Sequence, residues 1–238
     1  MKRSRVLFVS LCVLGLLLPA PFAGAKNQPA KPDGSKPAVD MGKSTVDIGN
    51  ISVDKATRSI RMKVKTALKE GILEFLLVSE QGKTYESAFE VEGNMPSELN
   101  FALILIGCEA APYDKFIACT QKEGGQAELF KSYPASLLSL KLLQNGKPVS
   151  MDSVIHNREG KPSDLIWVYT GGQTIEGRFA PDGSRNFIAI WPNLASVVNL
   201  FSANQNPYRG PYGFDMNTEN KKLDKGQEYT LVIERRVP

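Results

Sequence analysis

The chain predicts an α+β domain built on mostly antiparallel β-sheet, with one buried helix and a second short helix. Three observations predict it. Segments with a two-residue apolar period recur along the chain, as half-buried strands require. One long apolar run is framed by proline at a helix start and glycine just past a helix end. Strands do not alternate with helices in β-α-β order, so a parallel sheet is not expected.

The elements follow in chain order. Ile51-Ser52-Val53 and Ile60-Arg61-Met62-Lys63-Val64 alternate apolar and polar, and the polar stretch from Asp54 to Ser59 suits a hairpin connection. Gly71 opens Ile72-Leu73-Glu74-Phe75-Leu76-Leu77-Val78, apolar on both faces except at Glu74, as in a central strand. Gln81-Gly82-Lys83 reads as a hairpin turn into a strand from Tyr85 to Val91. Pro96, Glu98 and Gly107 frame Phe101 to Ile106, which is apolar all round and predicts a fully buried helix; a buried strand is the alternative. Residues 108–134 read as an irregular insertion. Strands are expected over residues 137–143, 149–155, 165–169, 187–190 and 229–234, and the second short helix over 192–200.

The N-terminus carries an address. Lys2, Arg3 and Arg5 precede the apolar run from Val6 to Leu18, and Ala23-Gly24-Ala25 ends the segment. This is the order of a secretory signal, with cleavage before Lys26. The run is shorter than the roughly 20 residues of a spanning helix, which argues against an uncleaved membrane anchor. Residues 26–43, rich in Lys, Pro, Ala and Gly, cannot bury enough surface to offset ordering entropy and read as a flexible tether. Residues 44–238 then form a single domain, periplasmic or secreted, with no transmembrane segment after cleavage. Cleavage removes three of the 29 basic residues and leaves 26 against 25 acidic ones. A nearly neutral chain lacks the basic balance of a nucleic-acid binder.

Two cysteines stay in the mature chain, Cys108 and Cys119. An oxidising compartment permits a disulfide between them, pinning the 108–134 insertion and worth roughly 3 kcal/mol. Two free buried thiols are the alternative.

Chemistry is sparse. His156 is the one histidine, beside Asn157, Arg158 and Gly160 in an expected loop, so neither a zinc site nor a Ser-His-Asp triad is supported. No metal and no cofactor is expected. Gly42-Lys43-Ser44 and Gly82-Lys83-Thr84 end like a phosphate-binding loop, but Pro37 and Leu77 stand where its first glycine belongs. The carboxylates Glu74 and Glu86 remain as candidate catalytic groups, with Tyr85 or Ser87 beside them. The competing reading pairs Glu74 with a base such as Arg61 or Lys63, or leaves it at a solvated edge. Trp167, Tyr169, Trp191, Tyr208 and Tyr212 are candidates for a ligand groove, with Trp167 and Tyr169 equally suited to one core face.

Glu70 to Val78, Gly82 to Ser87, Pro96-Ser97-Glu98-Leu99, Ala102-Leu103 and Gly107 resemble the YdjY-type domain of exported bacterial proteins. Trp167 to Gly171, Ile188 to Trp191 and the closing Tyr229 to Ile233 strand fit the second half of that family. The resemblance implies no established activity. Relatives often carry histidine where this chain has Tyr85, and the ferredoxin-like description of some relatives needs cysteines this chain lacks. The expected function is therefore a non-catalytic binding module of the cell envelope, engaging an envelope protein or a small ligand. The alternatives are a carboxylate-based hydrolase or isomerase using Glu74 and Glu86, and a structural envelope component.

Overall fold

Alternation becomes strand at the start of the domain. β1 (Thr45–Ile48), β2 (Ile51–Asp54) and β3 (Ser59–Thr66) form an antiparallel meander. In β3, Ile60, Met62 and Val64 are buried while Arg61 and Lys63 face out. Asp54 shapes the turn between β2 and β3, its Oδ1 accepting from the amides of Ala56 (2.9 Å) and Thr57 (3.0 Å). A computed structural model describes residues 44–160, 165–202 and 206–236. The expected signal (1–25) and tether (26–43) lie outside the described residues.

The run from Ile72 to Val78 is not one strand. β4 (Ile72–Leu73) and β5 (Phe75–Ser79) part at Glu74. The Glu74 amide donates to the Glu86 carbonyl at 3.0 Å, and its own carbonyl accepts from Ile190 (2.8 Å) and Trp191 (3.0 Å). All five residues of β5 are buried. β6 (Ser87–Val91) lies beside β5 in parallel register, Phe75 opposite Ser87 and Leu77 opposite Phe89. Residues 80–86 are thus a return passage and not a hairpin turn. They are fewer than the roughly dozen residues a parallel connection usually takes.

The helix framed by Pro96 and Gly107 is α1 (Pro96–Leu105). Glu98 closes its first turn, Oε2 accepting from the Met95 amide and the Asn94 side chain at 2.8 Å each. Leu99, Ala102 and Leu103 are buried, but Phe101 is 40% and Ile104 53% exposed. The helix is therefore buried on one side only, because nothing among the described residues covers its outer face.

Residues 108–134 hold two helices, α2 (Tyr113–Thr120) and α3 (Gly125–Ser132), instead of an irregular insertion. Gly124 turns the chain between them at φ +71°. A Cβ on Gly125 would stand 1.9 Å from the Cys119 carbonyl oxygen, so the pair closes only around glycine.

The remaining strands are β7 (Leu137–Gln144), β8 (Lys147–Val149), β9 (Ile155–Asn157), β10 (Trp167–Tyr169), β11 (Thr174–Ile175) and β12 (Arg178–Phe179). After α4 (Ala180–Ser184) come β13 (Asn186–Ala189), β14 (Val198–Leu200), β15 (Phe214–Met216) and β16 (Glu228–Arg235). The short helix expected over 192–200 does not form: α4 lies earlier in the chain, and the end of the 192–200 segment is strand. The pairing of Val198 with Ile188 and of Tyr169 with Val198 claims its backbone. The 149–155 segment splits between β8 and β9, with a 3₁₀ turn at Met151–Ser153 between them.

The class is α+β, but the main sheet is a closed barrel. β3, β16, β7, β10, β14, β13, β5 and β6 are neighbours in turn, and Lys65–Glu90 and Thr66–Phe89 pairing returns β6 to β3, giving an eight-stranded ring. The β5–β6 and β13–β14 pairs are parallel and the other barrel pairs antiparallel. A ring of eight is just wide enough for side chains to fill. Met62, Leu77, Phe89, Leu138, Trp167, Ile188 and Leu231 belong to the one large core, which α1 joins through Leu99 and Leu103. β4, β15 and β9 make a separate small sheet. The α2–α3 pair packs on the outer side of the barrel wall, Phe116 and Leu129 against Leu137, Ile166 and Val168.

Cys108 and Cys119 are both free and buried; no disulfide pins the insertion. They belong to different cores, Cys108 to that of the barrel and Cys119 to that of the helix pair. Burial pushes the Cys108 thiol up to about 11, against the pull of Arg235. No helix among the described residues is long and apolar enough to cross a membrane.

The two neighbouring glycines should respond differently to alanine. Gly125→Ala meets backbone, and overpacking of this kind costs about 1–3 kcal/mol or more. Gly124→Ala has open space around its Cβ and carries only the left-handed conformational cost, about 1–2 kcal/mol. Urea unfolding of both variants measures the difference; equal losses would mean that the α2–α3 contact is not tight.

Candidate functional site

Because the barrel is filled, open volume lies outside it. A cavity of about 860 Å³ opens between the α2–α3 pair, the small sheet and the segment from Pro207 to Phe214. Phe130, Trp191, Phe201 and Tyr212 supply aromatic walls, and Leu73, Ile190 and Leu200 line it where barrel and small sheet meet. Thr120, Lys122, Gln126, Asn157, Glu159 and Ser202 bring polar groups to it. Lys122 is paired with Glu128 on the next helix, so its charge is already compensated.

Two devices hold the walls. The Trp191 amide is tied to the Glu74 carbonyl, at the point where β4 leaves the barrel line. Opposite, the Arg158 guanidinium gathers three carbonyls of one segment, Pro207 (2.6 Å), Gly210 (3.2 Å) and Tyr212 (3.2 Å). The Arg158 amide also donates to the Gly213 carbonyl at 3.0 Å. Gly213 sits at φ +86°, where a Cβ would come within 2.8 Å of Pro207, so this wall closes only with glycine there.

Beside the cavity, but not in its lining, stands a charged cluster. Lys83 Nζ lies 3.4 Å from Glu74 and 3.1 Å from Glu86. It also sits 5.7 Å from the centre of the Phe75 ring. Tyr208 donates its hydroxyl to the other Glu86 oxygen at 2.9 Å. The carboxylates are 14% and 21% exposed and the lysine 47%, so solvent reaches the cluster through the ammonium. Burial works against the Lys83 charge, yet the Glu86 hydrogen bond and the Glu74 charge outweigh it and hold the ammonium above its usual 10.5. Burial, the bond to Glu86 and the two negative charges push the Tyr208 phenol well above 10.

The two carboxylates expected from sequence are thus brought together, but through a lysine. Glu74 is bound by neither Arg61 nor Lys63. Tyr85 is 66% exposed and takes no part. Trp167 and Tyr169 do share a face, and it is the barrel core. The Tyr169 hydroxyl donates to Asn100 at 2.7 Å, and burial pushes the phenol up to about 12. Of the aromatic group, Trp191 and Tyr212 line the cavity and Tyr208 joins the charged cluster. His156 lies on β9 and not in a loop, its Nδ1 3.3 Å from Asp215 across the strand pair. Among the described residues no group of three His, Cys, Asp or Glu side chains is arranged to hold a metal ion. Lys83, Arg158, Phe130 and Phe201 were not singled out by sequence. Lys83 had one local signal, its three-residue spacing from Glu86.

The alkaline limb of stability, to which the buried Cys108 and Tyr169 also contribute, draws on Lys83 and Tyr208 of the cluster. Both raised groups hold their protons more tightly folded than unfolded, so their contribution is complete below about pH 10 and is lost as pH rises through the folded values. Urea midpoints should fall above about pH 10, and less steeply in Tyr208→Phe. Identical slopes in both proteins would remove Tyr208 from this account.

Compared with known proteins, the chain matches no family model, no curated protein and no solved structure.

Proposed function

We propose that the chain is an exported cell-envelope protein of the YdjY type, whose mature domain binds a small ligand and does no chemistry on it. The observation that carries the binding reading is the aromatic-walled cavity. Its volume falls in the roughly 300–1,000 Å³ range of ligand sites, and it combines apolar walls with a few polar groups, as such sites do. The basic head, apolar run and small-residue site of residues 1–25 support export.

The carboxylate enzyme is the weaker reading. General acid–base work needs a proton-carrying group within hydrogen-bond reach of the substrate. Neither Glu74 nor Glu86 lines the cavity, and each already faces the Lys83 ammonium. Their role in this reading is structural, fixing the return passage 80–86 against Tyr208.

Native mass spectrometry of the secreted protein after exposure to envelope extract tests both halves. The mature mass should begin at Lys26 and carry a small-molecule adduct. The adduct should persist in the double variant Glu74→Gln/Glu86→Gln and fall in Trp191→Ala. A chain starting at Met1 overturns export. Absence of any adduct, or an equal adduct on Trp191→Ala, overturns the cavity as its site.

A further inference from the structure

We propose that the ligand is a neutral saccharide, laid against Trp191 and bonded by the uncharged polar groups at the rim. This rests on the reading of the cavity as the binding site and adds the chemistry of its occupant.

Charge removes the first class of candidates. The cavity has two charged side chains of opposite sign, Lys122 and Glu159. Lys122 is held by Glu128, and the two opposite charges of the lining cancel. An ionic ligand would enter a lining with no net opposite charge to meet it, and a charge taken out of water without a partner is costly. Polarity removes the second class. A wholly apolar chain would cover Gln126 and Ser202 without replacing their water, and polar groups left unsatisfied in this way cost free energy.

A pyranose ring meets both conditions. Its axial C–H groups form an apolar face that lies flat on an aromatic ring, while its equatorial hydroxyls radiate in the plane toward amides and hydroxyls. The cavity supplies aromatic surface at Trp191, Tyr212 and Phe201, an amide at Gln126 and a hydroxyl at Ser202. The surfaces are also set in advance. Trp191 is anchored through its amide to the Glu74 carbonyl, and the Tyr212 wall is gathered by Arg158. A preformed platform lowers the ordering cost that weakens binding to mobile walls.

Tryptophan makes the test direct, because the chain has two, and Trp167 is sealed in the barrel at 1% exposure. Emission that responds to ligand therefore reports Trp191, and the residual Trp167 emission reports folding. The purified protein is titrated with chitotetraose, with its deacetylated, cationic tetramer, and with laurate. Saturable binding of chitotetraose is expected, with weaker binding of the cationic tetramer and none of laurate. Trp191→Ala should weaken chitotetraose, read by calorimetry, about tenfold or more with Trp167 emission unchanged. Gln126→Ala, an exposed change with no fold penalty, should weaken it as well.

Laurate binding without chitotetraose overturns the saccharide and leaves the cavity reading standing. Stronger binding of the cationic tetramer overturns the neutrality argument and with it the proposal. Chitotetraose bound equally by wild type and Trp191→Ala overturns it by placing the sugar elsewhere. Binding of none of the three overturns the saccharide, while the adduct from envelope extract decides the cavity separately.

Discussion

Closure of the sheet is the constraint on which the rest of the molecule depends. β3 pairs with β2 along its first half, and at its far end Lys65 and Thr66 turn to meet Glu90 and Phe89 of β6. That short contact leaves the barrel without an open edge at this seam, so no unpaired ladder is presented there. It also sets the interior. Eight strands enclose only enough space for their own side chains, and the large buried residues of the chain fill it. Binding is thereby displaced to the outer wall.

The outer wall becomes a site because two appendages stand on it. The α2–α3 pair is seated by Phe116 and Leu129 on the outward residues Ile166 and Val168, the alternate partners of the inward Trp167 and Tyr169. One short strand thus serves the barrel core with one set of side chains and the helix pair with the other, the direct result of a two-residue period. The second appendage is the small sheet, which begins where Glu74 breaks the line from β4 to β5. At that residue the backbone bonds to Glu86, Ile190 and Trp191, and the side chain faces Lys83. A single acid in an apolar run marks this junction: its carboxylate needs a partner at the surface, so the strand cannot stay buried on both faces there.

Much of the fold was legible. The alternation of β3, the double burial of β5 and the span of α1 follow from local period and from the proline and glycine that frame the helix. The errors share a cause. Residues 80–86 carry turn residues, yet the chain uses them to run back along β5, so the neighbour is parallel. Residues 198–200 are apolar enough for either state, and their flanking strands chose strand. The 108–134 stretch lacks a strong apolar period and reads as irregular, while its glycine pair is what lets α2 and α3 touch. The site was partly legible. Glu74, Glu86, Trp191, Tyr208 and Tyr212 carried recognisable chemistry, but Lys83 and Arg158 are ordinary surface bases until the fold shows which acids and carbonyls they gather.

By itself the sequence determined the mixed class, the near balance of acidic and basic side chains over residues 26–238, most strand positions and the cap of the main helix. These depend on composition or on residues within one turn or one pleat of each other. Tertiary structure alone decided that the sheet closes, that two strand pairs are parallel, that the two thiols lie in different cores, and which aromatic side chains face a cavity. Each of these is set by contacts between residues far apart in the chain, where the free energy of a pairing depends on what else competes for the same backbone and the same buried face.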